Sequence, residues 1–345
     1  MEQVLVYGTG AFFTEYKNEL LKIYDIDGYI DRNGEYGGRK IYSSPKEITN
    51  ICDKKVIIML TNVRYCYEVV ESLLEAGVLH NNIIFGIAMW GDFSKYTSIT
   101  VSEDGKIVLN KNGISVRTSC EDEFYNVTEV LLLDAYKHYI NTDKKEVVID
   151  IGMNIGDSTL FFLNDDKVEK VYGYEPFKKT YKDAERNLKE FLQSDRLCIN
   201  NYGLSDQDRI LHLTINSKMS CGQSTNEMAN DIAIDNYEEW GFLTRKENTM
   251  ETIEVKKSSA VLKEIFKKHE QREIVLKMDC EGEEYAILDD LDKADLLSKI
   301  SLVMLEWHYK GDNIVLELLR KNGFSYTTMG KNLHQYIGLI YAWKM

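Results

Sequence analysis

The chain has 345 residues, enough for two domains of ordinary size, and its 44% hydrophobic and 28% charged content is that of a globular protein able to bury a sizeable core. A net charge of −14 argues against nucleic acid and anionic membrane as partners, since both call for clustered Lys and Arg. No apolar run approaches the roughly 20 residues that span a bilayer. The first residues lack the basic-then-apolar pattern of a secretion signal, and the 6 cysteines are scattered with no CxxC pair. A cytoplasmic protein with reduced thiols is therefore expected.

Residues 3–7 form a short apolar strand, and Gly8-Thr9-Gly10 turns it into a helix expected over 11–24. A second strand, 27–31, ends at Asp31. Ser43-Ser44-Pro45 reads as a helix start. Strands follow at 56–60 and 83–85, with an amphipathic helix over 65–76 stopped at Gly77 between them. Strands alternating with helices imply a parallel sheet with helices on both faces, here a small Rossmann-like domain over 1–90. Residues 91–140 read as a linker, with a hairpin signal at Asn110-Lys111-Asn112-Gly113 and a lead-in helix over 129–139. In the second domain, 141–345, strands are expected at 147–151, 170–174, 197–201, 211–215, 274–278 and 302–307, with helices at 178–191 and 283–291. The fold class is α/β: two doubly wound Rossmann-like domains, with ligands at the carboxyl ends of the strands.

Val147-Val148-Ile149-Asp150-Ile151 is a nearly continuous apolar strand. Gly152-Met153-Asn154-Ile155-Gly156 follows as the turn, and Asp157-Ser158-Thr159 opens a helix. Gly152 and Gly156 are expected to let backbone approach a ligand. The G-x-x-x-G spacing departs from the G-x-G-x-x-G of a dinucleotide site, where a pyrophosphate rests on the helix N-terminus. An acid beside the turn, Asp150, suits instead a cofactor carrying an ammonium and a sulfonium. Glu175 stands about twenty residues on, at the end of the next strand, where an acid binds ribose hydroxyls. A Gly-rich turn with a surface Glu is the bland alternative.

The run 148–156, then Tyr174-Glu175-Pro176, Gly203-Leu204-Ser205-Asp206, Gly222-Gln223-Ser224 and finally Leu276-Lys277-Met278-Asp279-Cys280-Glu281-Gly282-Glu283-Glu284, resembles the FkbM-type methyltransferases. The resemblance covers residues 128–307. It implies a class I S-adenosylmethionine fold in the second domain and O-methylation of a sugar or natural-product hydroxyl. By it, Gly152, Asn154 and Gly156 line the methionine part of the cofactor, Glu175 holds the ribose, and Leu204, Ser205 and Asp206 reach the adenine. Ser224 and Glu306 are taken as substrate-binding.

Methyl transfer needs alignment above all, and an alcohol acceptor must also lose a proton. Asp279 and Glu281 follow the strand 274–278, at the carboxyl edge. Strand alternation puts Glu306 and His308 on one face, and His308 has an ordinary pKa suited to a base at neutral pH. Asp279 and Glu281 could instead cap the following helix. Asp279, Glu281 and His308 would also suit a divalent metal, but the reading taken is metal-free.

In the first domain Phe13 stands where a dinucleotide fingerprint has its third glycine. The runs Tyr7-Gly8-Thr9-Gly10, Gly28-Tyr29-Ile30-Asp31-Arg32-Asn33 and Ser44-Pro45-Lys46-Glu47 resemble the small Rossmann-like domains that accompany sugar-modifying enzymes. That suggests a sugar, nucleotide-sugar or glycan acceptor. The expected function is S-adenosylmethionine-dependent O-methyl transfer. The alternatives are a nucleotide-sugar-binding or scaffolding protein with a silent methyltransferase fold, and an NAD-dependent oxidoreductase.

Overall fold

The computed structural model describes all residues except 33–35, 37–40, 141, 217–221, 226–247, 331–336 and 345. Asn33, singled out in the sequence, lies outside the described residues. The chain forms two compact units, 1–133 and 134–345. Among the described residues no helix is long and apolar enough to cross a membrane.

The first unit opens with β1 (Glu2–Tyr7), α1 (Ala11–Ile23), β2 (Tyr24–Ile30), β3 (Ile41–Tyr42), β4 (Lys55–Ile58), α2 (Val63–Glu75) and β5 (Ile83–Phe85). The strands form a parallel sheet in the order β3-β2-β1-β4-β5. Val4, Leu5 and Val6 are all buried because both faces are covered. Helix α1 turns its Phe13 and Leu20 inward. Asn62 starts α2 by accepting the Tyr65 amide, and Gly77, at φ 94°, follows its end. The chain passes from α1 into β2 without a loop, so β2 begins at Tyr24, three residues before the expected strand. Ser44-Pro45 starts only a single 3-10 turn, Pro45–Glu47.

Residues beyond 90 continue this unit. Strands β6 (Ser98–Val101), β7 (Ile107–Lys111) and β8 (Ile114–Thr118) form an antiparallel sheet that includes the expected hairpin. Helix α3 spans Glu121–Leu131, whereas a helix over 129–139 was expected. Its first turn holds Glu121, Asp122 and Glu123, where acids complement the helix dipole, and Phe124, Val127 and Leu131 are buried at helical spacing.

The second unit comprises β9 (Glu146–Ile151), α4 (Asp157–Leu163), β10 (Val168–Tyr174), α5 (Lys178–Asn187), β11 (Leu197–Asn200), β12 (Gly203–Ser205), β13 (Arg209–Asn216), β14 (Asn248–Lys257), α6 (Ser258–Lys268), β15 (Glu273–Met278), α7 (Glu284–Lys293), β16 (Leu302–His308), α8 (Asn313–Lys321), β17 (Ser325–Gly330) and β18 (Ile337–Trp343). Its main sheet runs β11-β10-β9-β15-β16-β18-β17, with only β18 antiparallel to its neighbours. This is the class I methyltransferase arrangement. The expected strand 211–215 belongs instead to a second sheet, β12-β14-β13. There it pairs with β14, whose alternating Ile253 and Val255 face inward. Every residue of β9 is buried. Strand order reverses between β9 and β15, so a crevice opens at their carboxyl ends.

Candidate active site

At that edge β9 turns through Gly152-Met153-Asn154-Ile155-Gly156 into α4. Gly152, Asn154 and Gly156 take the left-handed conformation, with φ of 75°, 48° and 86°; Gly and Asn adopt it at least cost. The glycines were expected to spare room for a ligand, and the structure gives them other neighbours. A Cβ on Gly152 would stand 1.8 Å from the Asp279 carbonyl oxygen, and one on Gly156 3.0 Å from Leu188 Cδ1. Both let protein pack on protein. Gly152 does so at the switch point, pressing its turn against the end of β15.

Asp150, expected beside the cofactor, faces inward instead. It is fully buried. Its Oδ2 accepts hydrogen bonds from Ser158 Oγ and Thr159 Oγ1, both at 2.7 Å, and its Oδ1 lies 3.0 Å from Lys277 Nζ. Lys277 also donates to the Gly152 carbonyl at 2.6 Å. Burial opposes the Lys277 charge, but Asp150 and Asp279 outweigh it and hold the ammonium protonated. Asp150 therefore braces the turn from beneath, its oxygens committed to the scaffold. Lys277 escaped the sequence reading. Its signal is a lysine interrupting the apolar run 274–278, because an unpaired buried ammonium is costly.

Glu175 follows β10 and is buried at 5% exposure. It accepts the Phe177 amide at 2.9 Å, and burial pushes its carboxyl up to about 8. Such a carboxyl suits neutral hydroxyl donors. Asp157, the first residue of α4, is lifted by burial to about 7 and occupies the helix N-terminus where a pyrophosphate would rest. The turn 152–156 carries no Lys or Arg. This donor set fits a nucleoside cofactor without phosphate, as S-adenosylmethionine is.

Leu204, Ser205 and Asp206 are not gathered at the crevice as a unit. Leu204 packs in the main core. Ser205, fully buried, donates to Glu283 Oε2 at 2.6 Å. Asp206 is exposed, 3.8 Å from Arg209. The Ser205–Glu283 bond ties β12 to the start of α7, so the side chains of Leu204 and Ser205 are taken up by the interior.

Asp279, Glu281 and His308 do converge: one nitrogen or oxygen from each lies within 4.8 Å of the others. His308 ends β16 with its ring buried. Its Nδ1 lies 2.9 Å from Glu284 Oε1, and Glu284 also accepts the amides of Cys280 at 3.1 Å and Gly282 at 2.9 Å. Glu284, also missed in the sequence, thus pins both the 279–282 turn and the imidazole. His308 Nε2 faces Glu281 Oε2 at 3.5 Å, and Asp279 Oδ1 and Glu306 Oε1 at 3.9 Å each. Burial favours the neutral ring, but Glu281 and Glu284 overcome it and raise the His308 pKa well above 6.5. The expected neutral base is corrected: in this arrangement His308 is a cation bracketed by carboxylates. Ser224, expected at the substrate, is buried and donates to the Glu281 carbonyl, while the Gly222 amide donates to Glu281 Oε1 at 3.1 Å. Segment 222–224 therefore steadies Glu281, which itself sits at φ 54°.

Among solved structures, the chain is similar to a methyltransferase FkbM from Methylobacillus flagellatus KT, at 13% identity over 99% of this chain and 90% of that one, with a TM-score of 0.36. It is similar to an rRNA methylase from Streptococcus thermophilus, at 12% identity over 59% and 89% of the two chains, with a TM-score of 0.32. A third is TrmK of M. capricolum in complex with S-adenosyl-homocysteine, at 14% identity over 62% and 67%, with a TM-score of 0.32. No curated protein matches the chain significantly. Residues 150–326, just over half of the chain, match the family described as the methyltransferase FkbM domain, and they span the turn, Glu175 and the Asp279–Glu284 block. The chain belongs to the FkbM methyltransferases, and S-adenosylmethionine is its cofactor.

Proposed function

We propose that the protein transfers a methyl group to a hydroxyl of a sugar, glycan or related natural product. The observation that carries this reading is the convergence of Asp279, Glu281 and His308 at the strand ends beside Gly152. S-adenosylmethionine, when bound, supplies a methyl carbon on a sulfonium, so its transfer to a hydroxyl oxygen leaves a neutral thioether and one proton to remove. Asp279, whose side chain is 33% exposed, is the carboxylate of the cluster most open to that proton. His308, held as a cation, offsets the negative charge around it. Alignment contributes about 7–11 kcal/mol to such reactions and a general base about 10²–10⁴-fold, so positioning is the larger part. Lys277 and Glu284 serve it by fixing the two turns. A cluster of carboxylates also suits a polyhydroxyl acceptor, to whose hydroxyls it offers hydrogen-bond acceptors. Glu175 holds the ribose. The first unit assists with a nucleotide-sugar or glycan acceptor, and the free thiols fit the cytoplasm.

Mass spectrometry of products from a glycan and nucleotide-sugar panel tests the acceptor class; methylation at nitrogen alone would refute it. On an acceptor so found, Asp279→Asn and Glu281→Gln should each lower turnover about 10²-fold or more while cofactor affinity changes little. Wild-type turnover in both variants would sink the assignment.

A further inference from the structure

We infer that Asp279, Glu281 and His308 form a binding site for a divalent cation of the Mn²⁺ type, against the metal-free expectation from sequence. Without an ion these distances pair a charged imidazole with carboxylates; they are equally those of ligands shared by one ion, which would take the place of the Nε2 proton. Ligands about 2.1 Å from one ion lie about 3.0 Å apart at a right angle and about 4.2 Å apart across it. His308 Nε2 is 3.5 Å from Glu281 Oε2 and 3.9 Å from Asp279 Oδ1. Both are too long for a hydrogen bond and inside the ligand range.

The imidazole is prepared for the task. Its ring is buried, and its Nδ1 is engaged by Glu284, whose carboxylate is itself held by two backbone amides. A carboxylate behind the far nitrogen is the usual way a ligating histidine is oriented. Here it aims Nε2 into the space between Asp279, Glu281 and Glu306.

A second group points to an occupant in that space. Tyr136 is 8% exposed, with Lys277 Nζ 5.4 Å from its ring centroid. Lys277 also donates to the carbonyl of Gly152, the residue packed against Asp279, so the phenol stands at the same strand ends. Among the described residues nothing hydrogen-bonds its hydroxyl. A buried phenol at this edge, its hydroxyl unbonded among the described residues, offers an occupant of the crevice a further polar contact.

One imidazole with two or more carboxylates is a hard, oxygen-rich donor set, suited to Mn²⁺ or Mg²⁺ rather than to a thiolate-seeking metal. The use of the ion rests on the proposed O-methyl transfer: it would hold the acceptor oxygen and ease loss of the hydroxyl proton to a carboxylate. Its existence does not rest on that reading.

The test is titration of the full, chelator-stripped chain with MnCl₂, followed by calorimetry and by loss of the free Mn²⁺ resonance signal. One Mn²⁺ per chain should bind, saturating below about 1 mM, and excess Mg²⁺ should displace it. Asp279→Asn and Glu281→Gln should each weaken binding about tenfold or more, and Glu284→Gln by about 10–100-fold through the imidazole. Circular dichroism checks that each variant is folded; Asp279→Asn, on a partly exposed side chain, is the one least exposed to that objection. Glu254→Gln, at an exposed position of β14, should bind like wild type. No binding by wild type, or equal binding by Asp279→Asn and Glu281→Gln, overturns the ion site and leaves the acid–base reading standing. Lost Mn²⁺ binding with unchanged methyl transfer upholds the site and overturns the acid–base reading.

Discussion

The two units open alike, with a parallel strand, a glycine turn and a helix, and each has an acid at or just beyond the end of its second strand. In the first unit that acid, Asp31, is engaged by its own turn: Thr9 donates to Asp31 Oδ2 through both its amide and its Oγ1, each at 2.7 Å. Across its switch point β4 runs into Met59 and Leu60, and a Cβ on Gly8 would stand 2.8 Å from Leu60 Cδ2. In the second unit the facing strand, β15, runs into Asp279 and Glu281. Topology makes a crevice in both units. Chemistry is gathered in the one whose strand beyond the switch point ends in charge.

That contrast is broken most forcefully beneath the second turn. Lys277→Met leaves Asp150 buried and uncompensated, which should cost about 3–5 kcal/mol in denaturant unfolding. Adding Asp150→Asn should restore part of that loss. The first unit has an exposed counterpart in Lys54 and Asp27, 2.8 Å apart with side chains 31% and 39% exposed. Solvent screens that pair, so Lys54→Met should cost well under about 1 kcal/mol. Equal losses from the two substitutions would show that Lys277 is not the brace described.

Periodicity made the parallel sheets legible. Strands β9, β10, β11, β15 and β16 stand where apolar runs placed them, because buried parallel strands are apolar on both faces. Strand β14 was not legible, since it carries Glu254 and Lys256 on its outward positions and Glu251 and Lys257 on either side of its two buried residues, and so reads as a polar segment. Helix α3 begins eight residues before the expected 129, because Cys120 precedes it in place of a Ser, Thr, Asp or Asn cap and leaves its start unmarked in the sequence. Charge at the strand ends made Asp279, Glu281 and His308 legible. Asp150, Leu204 and Ser205 sit beside the motif in sequence but point into the scaffold. A motif position does not disclose which face its side chain takes; Lys277, Asp150's partner, lies 127 residues away.

A smaller effect separates the glycines. Gly152→Ala places a Cβ against the Asp279 carbonyl at a left-handed φ, so a loss of about 1–3 kcal/mol and weakened cofactor binding are expected. Gly10→Ala meets nothing within 4 Å and sits at φ −72°. It should change stability by no more than about 0.5 kcal/mol. Thermal unfolding of the two variants, with and without S-adenosylmethionine, distinguishes a turn that packs from one that only turns.

The last test sets the two acids against each other by pH. Burial raises Glu175 to about 8. For a carboxyl raised on folding, the favourable contribution is complete below its unfolded pKa, about 4.3, and is lost as pH rises through about 8. Ribose hydroxyls donating to Glu175 favour its ionised form, so cofactor affinity runs the other way. It should rise about tenfold between about pH 6.5 and 8.5 as the free protein gives up that proton before binding. Glu175→Gln should flatten the profile in calorimetric titration. Asp31→Asn should leave it unchanged and cost about 1 kcal/mol of stability through weakened Thr9 bonds. A profile that stays steep in Glu175→Gln would move the ribose contact elsewhere. One flattened by Asp31→Asn would give the first turn a part in cofactor binding, and with it the contrast between the units would fail.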